Sequence, residues 1–145
     1  MSFVLDASVA LLWLAPDTNP TGVEYASAVL RALKESQALV PSLWSLEVGN
    51  VIAKIEAKNI VTEADSQRFV ALLGRLDIVT DPATAGRALG DTLNLARRYK
   101  LSVYDAAYLE LALRMNYPLA TLDADLAKAA TLAGILIFSR STKSV

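Results

Sequence analysis

The chain contains no cysteine and no histidine. The first absence excludes a disulfide framework, a thiol nucleophile and a Cys-ligated zinc site. The second removes imidazole acid–base catalysis, Ser-His-Asp hydrolysis and the usual zinc centres. Any hydrolytic chemistry must come from carboxylates, hydroxyls, lysines or a metal ion held by oxygen ligands. Net charge is also nearly absent, at −1, so the overall basicity that advertises a nucleic-acid binder is missing. A local run such as Arg97-Arg98-Tyr99-Lys100 can still meet phosphates, or can simply complement the dipole at a helix C-terminus. No segment is long and apolar enough to cross a bilayer. The apolar N-terminus has no basic leader region and is interrupted by Asp6, so it reads as strand plus helix of a cytoplasmic protein and not as a signal peptide.

What remains is a chain of 145 residues, 54% hydrophobic and 20% charged, enough for one folded domain with its own core. Phe3-Val4-Leu5 predicts a buried strand ending at Asp6, with a short helix from Val9 to Leu14. A breaker-rich loop, Pro16 to Pro20, precedes a capping box of Thr21 and Glu24 heading a helix through Leu33. Ala38 to Pro41 is a second strand, and Ser42 or Ser45 starts a helix running to about Lys58. Thr62 and Asp65 form another box; Asp77 to Val79 is a third strand; Thr84 caps a helix from Ala85 to about Tyr99. Ser102 opens a helix to Met115, Pro118 to Thr121 is a fourth strand, Asp123 to Ala133 is a helix closed by Gly134, and Ile135 to Phe138 is the last strand. Short apolar strands alternating with amphipathic helices predict a three-layer α/β/α domain with a short central parallel sheet over residues 1–138, followed by a polar tail, 139–145.

Acids recur where such a sheet binds ligands, at the carboxyl ends of its strands. Asp6 and Asp123 each follow an apolar strand, and Asp105 lies in the first turn of a helix. Each has a plain alternative: Asp6 and Asp123 as N-caps, Asp105 as the acid of a box with Ser102. Glu47 stands between Leu46 and Val48 in a helix otherwise short of charge, with Asn50 and Lys54 along the same side. Its alternative is a partly solvated stripe loosely associated with Lys54. Converging carboxylates repel unless a cation joins them, and all-oxygen ligation suits Mg²⁺ or Mn²⁺. Such an ion lowers the pKa of a bound water and stabilises charge on a phosphoryl oxygen, which suffices for phosphodiester hydrolysis without histidine.

Val4-Leu5-Asp6-Ala7-Ser8, Leu46-Glu47-Val48-Gly49-Asn50-Val51, Tyr104-Asp105-Ala106-Ala107-Tyr108 and Leu119-Ala120-Thr121-Leu122-Asp123 resemble, in order, the motifs of the PIN-domain nucleases. They resemble in particular the VapC-type ribonuclease toxins of toxin–antitoxin pairs. The resemblance spans nearly the whole chain. It implies that Asp6, Glu47, Asp105 and Asp123 surround one or two Mg²⁺ or Mn²⁺ ions and catalyse cleavage of an RNA strand. It further implies that Ser8 assists the first acid, Asn50 orders Glu47 and Thr121 is the small hydroxyl before the fourth acid. Asp125 either supplements Asp123 or merely occupies its helix's first turn. Arg97, Arg98 and Lys100 would hold flanking phosphates, and Trp13 or Tyr104 would stack on a base. The resemblance also implies a homodimer and an antitoxin partner.

Two other readings fit the residues. A phosphatase or phosphotransferase would use Asp6 as nucleophile, although haloacid-dehalogenase-like enzymes typically carry Asp-x-Asp where this chain has Ser8. A non-enzymatic protein–protein module would present a groove between the helices near Val23 to Leu33 and Phe69 to Leu76.

Overall fold

The computed structural model describes residues 1–139, and its four strands form one parallel sheet in the order β3-β2-β1-β4. These are β1 (Ser2–Leu5), β2 (Gln37–Val40), β3 (Ile78–Thr80) and β4 (Leu119–Ala120). Val4 pairs with Leu39 on one side and with Leu119 on the other, so β1 is interior. Successive strand residues face opposite sides of a sheet, and Phe3, Val4 and Leu5 are all fully buried. Both faces of β1 are therefore covered, as the uninterrupted apolar run requires, and each of these side chains contributes about 1.5–3 kcal/mol.

The helices are α1 (Ala7–Ala10), α2 (Val23–Ala32), α3 (Trp44–Ala57), α4 (Glu63–Arg75), α5 (Thr84–Arg87), α6 (Leu93–Tyr99), α7 (Val103–Met115) and α8 (Ala124–Leu132). They flank the sheet and complete the expected three-layer α/β/α arrangement. Helix α7 is the most buried: Ala106 to Ala112 are all removed from solvent. The chain moves outward from β1 to β2 to β3, then returns to place β4 on the opposite side of β1. This reversal puts a crevice at the carboxyl ends of β1 and β4, where doubly wound sheets bind ligands.

An ion-pair network fixes the far side of the sheet. Arg114 of α7 meets Asp81, just past β3, through two nitrogens at 3.1 and 2.6 Å, and meets Glu110 at 2.9 and 3.0 Å. Burial acts to raise the Asp81 pKa, but hydrogen bonds from Arg114, Ala83 N–H and Thr84 hold its carboxyl below the usual range.

Several local expectations are revised. The first helix is one α turn continued as a 3₁₀ turn over Leu11–Trp13. Thr21 forms no capping box; it sits in a 3₁₀ turn, Pro20–Gly22, and its hydroxyl donates to Asn19 Oδ1 at 3.0 Å. The chain is already helical there, so no free amides await a cap. Neither Ser42 nor Ser45 caps α3, whose N-cap position is Leu43. The helix expected from Ala85 to Tyr99 is divided by a π turn, Ala88–Thr92. Gly86 and Gly90 weaken the α-helix there by about 1 kcal/mol each relative to alanine, and Arg87 pairs with Asp91 across the turn at 3.2 Å. Thr84 is the first residue of α5 and not its cap. Its hydroxyl accepts from Ser42 N–H at 3.0 Å and donates to Asp81 at 2.9 Å, tying two loops together. The Thr62–Asp65 box is present, and Gly134 ends α8 with φ 88°. The last strand reduces to a single parallel bridge between Ile137 and Leu119, beside which Phe138 stacks on Phe3 with ring centroids 4.2 Å apart. The polar tail lies outside the described residues from position 140 onward.

Candidate active site

Asp6 occupies the N-cap position of α1 but makes no capping hydrogen bond there. Its Oδ2 instead accepts from the hydroxyls of Ser8 and Thr121, both at 2.7 Å. Each hydroxyl in turn accepts a backbone amide at 3.0 Å: Leu122 N–H to Ser8 and Asp123 N–H to Thr121. With those amides occupying oxygen lone pairs, both hydroxyl hydrogens are directed at Asp6. Ser8 and Thr121 thus lock β1 to β4 and orient the carboxylate between them. Gly22 helps seat this loop, since a Cβ there would lie 2.8 Å from the Leu122 side chain.

Asp123 fills the N-cap role that the sequence offered and keeps one oxygen free of it. Its Oδ1 caps α8 by accepting from Asp125 N–H at 2.9 Å and Leu126 N–H at 3.1 Å. Its Oδ2 makes no hydrogen bond among the described residues. Asp105 lies in the first turn of α7, where Ser102 Oγ accepts its N–H at 3.0 Å. The reciprocal bond that would close a capping box is absent, leaving the Asp105 carboxylate facing the crevice acids.

Glu47, half-buried on α3, accepts a hydrogen bond at Oε1 from the hydroxyl of Tyr108. The expected partners are not used: Asn50 and Lys54 are both exposed, and neither bonds Glu47. Tyr108 is the residue that sequence reasoning missed. It lies one turn beyond Asp105 in α7 and is fully buried, and a phenol in such a position must find an acceptor. That requirement was the available signal.

The electrostatics tie these acids together. Burial pushes the Asp6 carboxyl above the usual range, against the bonds from Ser8 and Thr121, and the charge of Asp123 adds to the rise. Burial likewise raises Glu47, against its bond from Tyr108, with Asp6 and Asp105 adding. Asp105 is raised by burial and then by Asp123, Asp6 and Asp125. Burial, Asp6 and Glu47 hold the Tyr108 phenol well above its ordinary pKa, so it remains a donor. Among the described residues the ion pairs all lie elsewhere, on Asp65, Asp81, Asp91 and Glu110. These four carboxylates therefore act on one another, directly or through a shared neighbour, without a counter-charge among the described residues. Among the described residues no three acids stand at the spacing that encloses an ion. The donor set, all oxygen and uncompensated, fits a hard divalent ion such as Mg²⁺ or Mn²⁺. Asp125 is exposed and reaches the cluster through its charge on Asp105.

A PIN domain model matches residues 3–132. The chain belongs to the PIN-domain family. It is 28% identical over 129 residues to Ribonuclease VapC3 of Pyrobaculum aerophilum, covering 88% of this chain and 94% of that protein. The crystal structure of PAE2754 from the same organism superposes with a TM-score of 0.65 at 22% identity, covering 94% of this chain and 83% of that one. The structure of VapBC2 from Rickettsia felis bound to a promoter DNA fragment gives 0.66 at 16% identity, covering 95% and 98%.

The remaining expected residues divide. Arg98 and Lys100 line a cavity beside α8, whereas Arg97 bonds Asn94 Oδ1 at 3.2 Å and lies outside it. The half-buried Trp13 donates its indole N–H to the Ala26 carbonyl at 2.8 Å, which ties the 3₁₀ turn to α2. Tyr104 is exposed beside Asp105. A groove of about 420 Å³ runs from Trp13 and Pro16 to Ile60, Phe69 and Leu72, so it uses the turn after α1 where α2 was expected. Among the described residues no helix is long and apolar enough to cross a membrane.

Proposed function

We propose that this PIN domain is a Mg²⁺- or Mn²⁺-dependent endoribonuclease, the toxin of a toxin–antitoxin pair, acting as one nuclease unit over residues 1–138. The observation that carries the reading is the mutual electrostatic influence of Asp6, Glu47, Asp105 and Asp123, none of which has a cation partner among the described residues. Similarity to Ribonuclease VapC3 supports RNA as substrate, and the fold shared with VapBC2 supports a protein partner, here an antitoxin. We infer a homodimer in the cytoplasm as the working form.

Asp6, Asp105 and Asp123 would hold the ion, with Glu47 completing the site directly or through water. When bound, the ion supplies a water of lowered pKa and neutralises charge developing on the scissile phosphate. Ser8 and Thr121 keep Asp6 Oδ2 oriented, leaving Oδ1 for the ion. The α8 cap fixes Asp123 by one oxygen, so the other is presented without rotational freedom. Tyr108 restrains Glu47 in the same manner. Arg98 and Lys100, exposed and lining a cavity with Asp125, would meet flanking phosphates, and Tyr104 offers a face to a base. Asp6 is a poor nucleophile for a phosphatase: it is 7% exposed, and two hydroxyls occupy one of its oxygens.

The test is cleavage of RNA with Mn²⁺, expected to be lost both in EDTA and in Asp6→Asn. Cleavage that persists in both conditions refutes the reading.

A further inference from the structure

We propose that the cavity between the end of α6 and the outer face of α8 is a nucleotide subsite that holds the RNA phosphate and base next to the scissile bond. It deepens the nuclease reading and rests on it for the identity of the strand. The cavity measures about 460 Å³, within the range of small-molecule sites. Three cations line it: Arg98, Lys100 and Lys128. Among the described residues the paired cations are Arg68, Arg87 and Arg114. Among those residues the three at the cavity have no carboxylate partner, although Asp125 lines the same space.

The backbone adds a second observation. The non-glycine residues at positive φ are Asn59, Lys100 and Asn116. Asparagine tolerates the left-handed conformation, whereas lysine bears the full steric cost of its Cβ. Closing α6 needs only a residue at ease with φ 56°, and glycine or asparagine would serve better. What lysine adds is an ammonium at the cavity rim. Retained strain of this kind is characteristic of functional positions.

The floor selects the kind of anion. Leu101 and Leu132 give it an apolar surface, and the Tyr99 ring carries the Arg98 guanidinium 5.7 Å from its centroid. Apolar and aromatic surface flanked by cations is how single-stranded nucleic acids are held, with bases packed and phosphates neutralised. An acidic polypeptide would use the rim and leave the floor unexploited. Asp125 gives the location, because it lines the cavity while its backbone N–H donates to Asp123 Oδ1 at 2.9 Å. A strand with one phosphate at the acids therefore continues directly into this space.

The experiment follows the anisotropy of a short fluorescein-labelled oligouridylate titrated with the full chain in EDTA at several salt concentrations. Lys100→Asn and Lys128→Ala are each expected to weaken binding and reduce the slope of log affinity against log salt by about 0.7, the value for one single-strand phosphate contact. Lys34→Ala, which removes equal charge outside the cavity, is expected to leave the slope unchanged. Lys100→Asn should not lower the unfolding midpoint, since asparagine accepts the same backbone. Equal losses from Lys34→Ala, or displacement of the probe by polyglutamate as effectively as by unlabelled oligouridylate, overturn the subsite. RNA cleavage by the wild type with wild-type binding in both lysine variants refutes the subsite and leaves the nuclease reading standing. Reduced slopes with no cleavage by the wild type do the opposite. A wild type that neither binds nor cuts RNA refutes both.

Discussion

Replacing Tyr108 by phenylalanine removes one oxygen from the centre of the molecule and little else. The residue is fully buried and phenylalanine fills the same space, so no cavity opens. What is lost is the donor to Glu47 Oε1. A hydrogen bond to a charged group contributes about 1.5–3 kcal/mol, and water reaching the half-buried carboxylate recovers part of this, giving a net loss of about 1–2 kcal/mol at neutral pH. For a chain of this size the unfolding midpoint should fall by about 3–6 °C. The loss should also depend on pH. With its donor gone, Glu47 keeps every influence that raises its pKa: burial, Asp6 and Asp105. A native carboxyl raised above its unfolded value costs nothing below that value, and its cost grows as pH rises toward the native pKa. The gap between wild type and Tyr108→Phe therefore opens as pH rises through the wild-type native pKa of Glu47, which lies above its ordinary value, and is complete where Glu47 is ionised in both proteins. Thermal and urea unfolding in EDTA between about pH 5 and 8 would measure it. A gap that stays constant across that range would mean that the phenol does not act on an ionised Glu47, and the account of the site given above would fail.

Three further substitutions probe other parts of the site and scaffold. Asp105→Asn keeps the Ser102 cap, because the accepted N–H is backbone, and removes a charge disfavoured by burial and its neighbours. In EDTA at neutral pH it should be at least as stable as wild type, an advantage that vanishes as pH falls through the ordinary aspartate range. Mn²⁺ at a hundredfold excess over Kd should stabilise the wild type by about 2.7 kcal/mol and the variant by less; equal responses in a calorimetric scan would remove Asp105 from the ligand set. Thr121→Val deletes a buried hydroxyl that both donates to Asp6 and accepts from Asp123 N–H, and should cost about 1–3 kcal/mol, with Thr121→Ser restoring most of it in urea titrations. Arg114→Met strands Asp81 and Glu110 in the interior and should cost about 3–5 kcal/mol at neutral pH. Because the Asp81 pKa is lowered in the fold, its share of wild-type stability is present above the ordinary aspartate pKa and is lost on acidification. The variant's deficit should therefore shrink in acid, while its Mn²⁺ response stays that of the wild type.

The parallel sheet was legible because its signal is local and redundant. Phe3 to Leu5, Ala38 to Val40, Ile78 to Val79 and Leu119 to Ala120 are apolar runs too short for helices, each separated from the next by helical periodicity. The misreadings are cases in which hydroxyls found distant partners. Thr84 looks like a cap, yet its oxygen serves Ser42 and Asp81 across a loop junction. Thr21 has a glutamate three residues on, yet a preceding proline had already begun the turn that made a cap unnecessary. The π turn was illegible for a related reason: glycines mark where a helix can yield, not whether the packing against it will make it do so.

The acids pose a different problem, because capping and catalysis draw on the same positions. A helix following a parallel strand begins at the carboxyl edge of the sheet, so an aspartate chosen for its N-terminus is already at the mouth of the crevice. The helix dipole there offsets part of the repulsion between neighbouring carboxylates. Asp123 spends one oxygen on the cap and leaves the other to the crevice, so the two roles are compatible. What separates a site acid from a structural one is whether a counter-charge arrives from elsewhere in the chain. Asp81 also follows a strand and is equally buried, but Arg114 reaches it from 33 residues away. Asp6 receives two hydroxyls and no cation. That difference is a long-range property of the fold, and it makes Asp6 and its neighbours, and not Asp81, the acids that a divalent ion would complete.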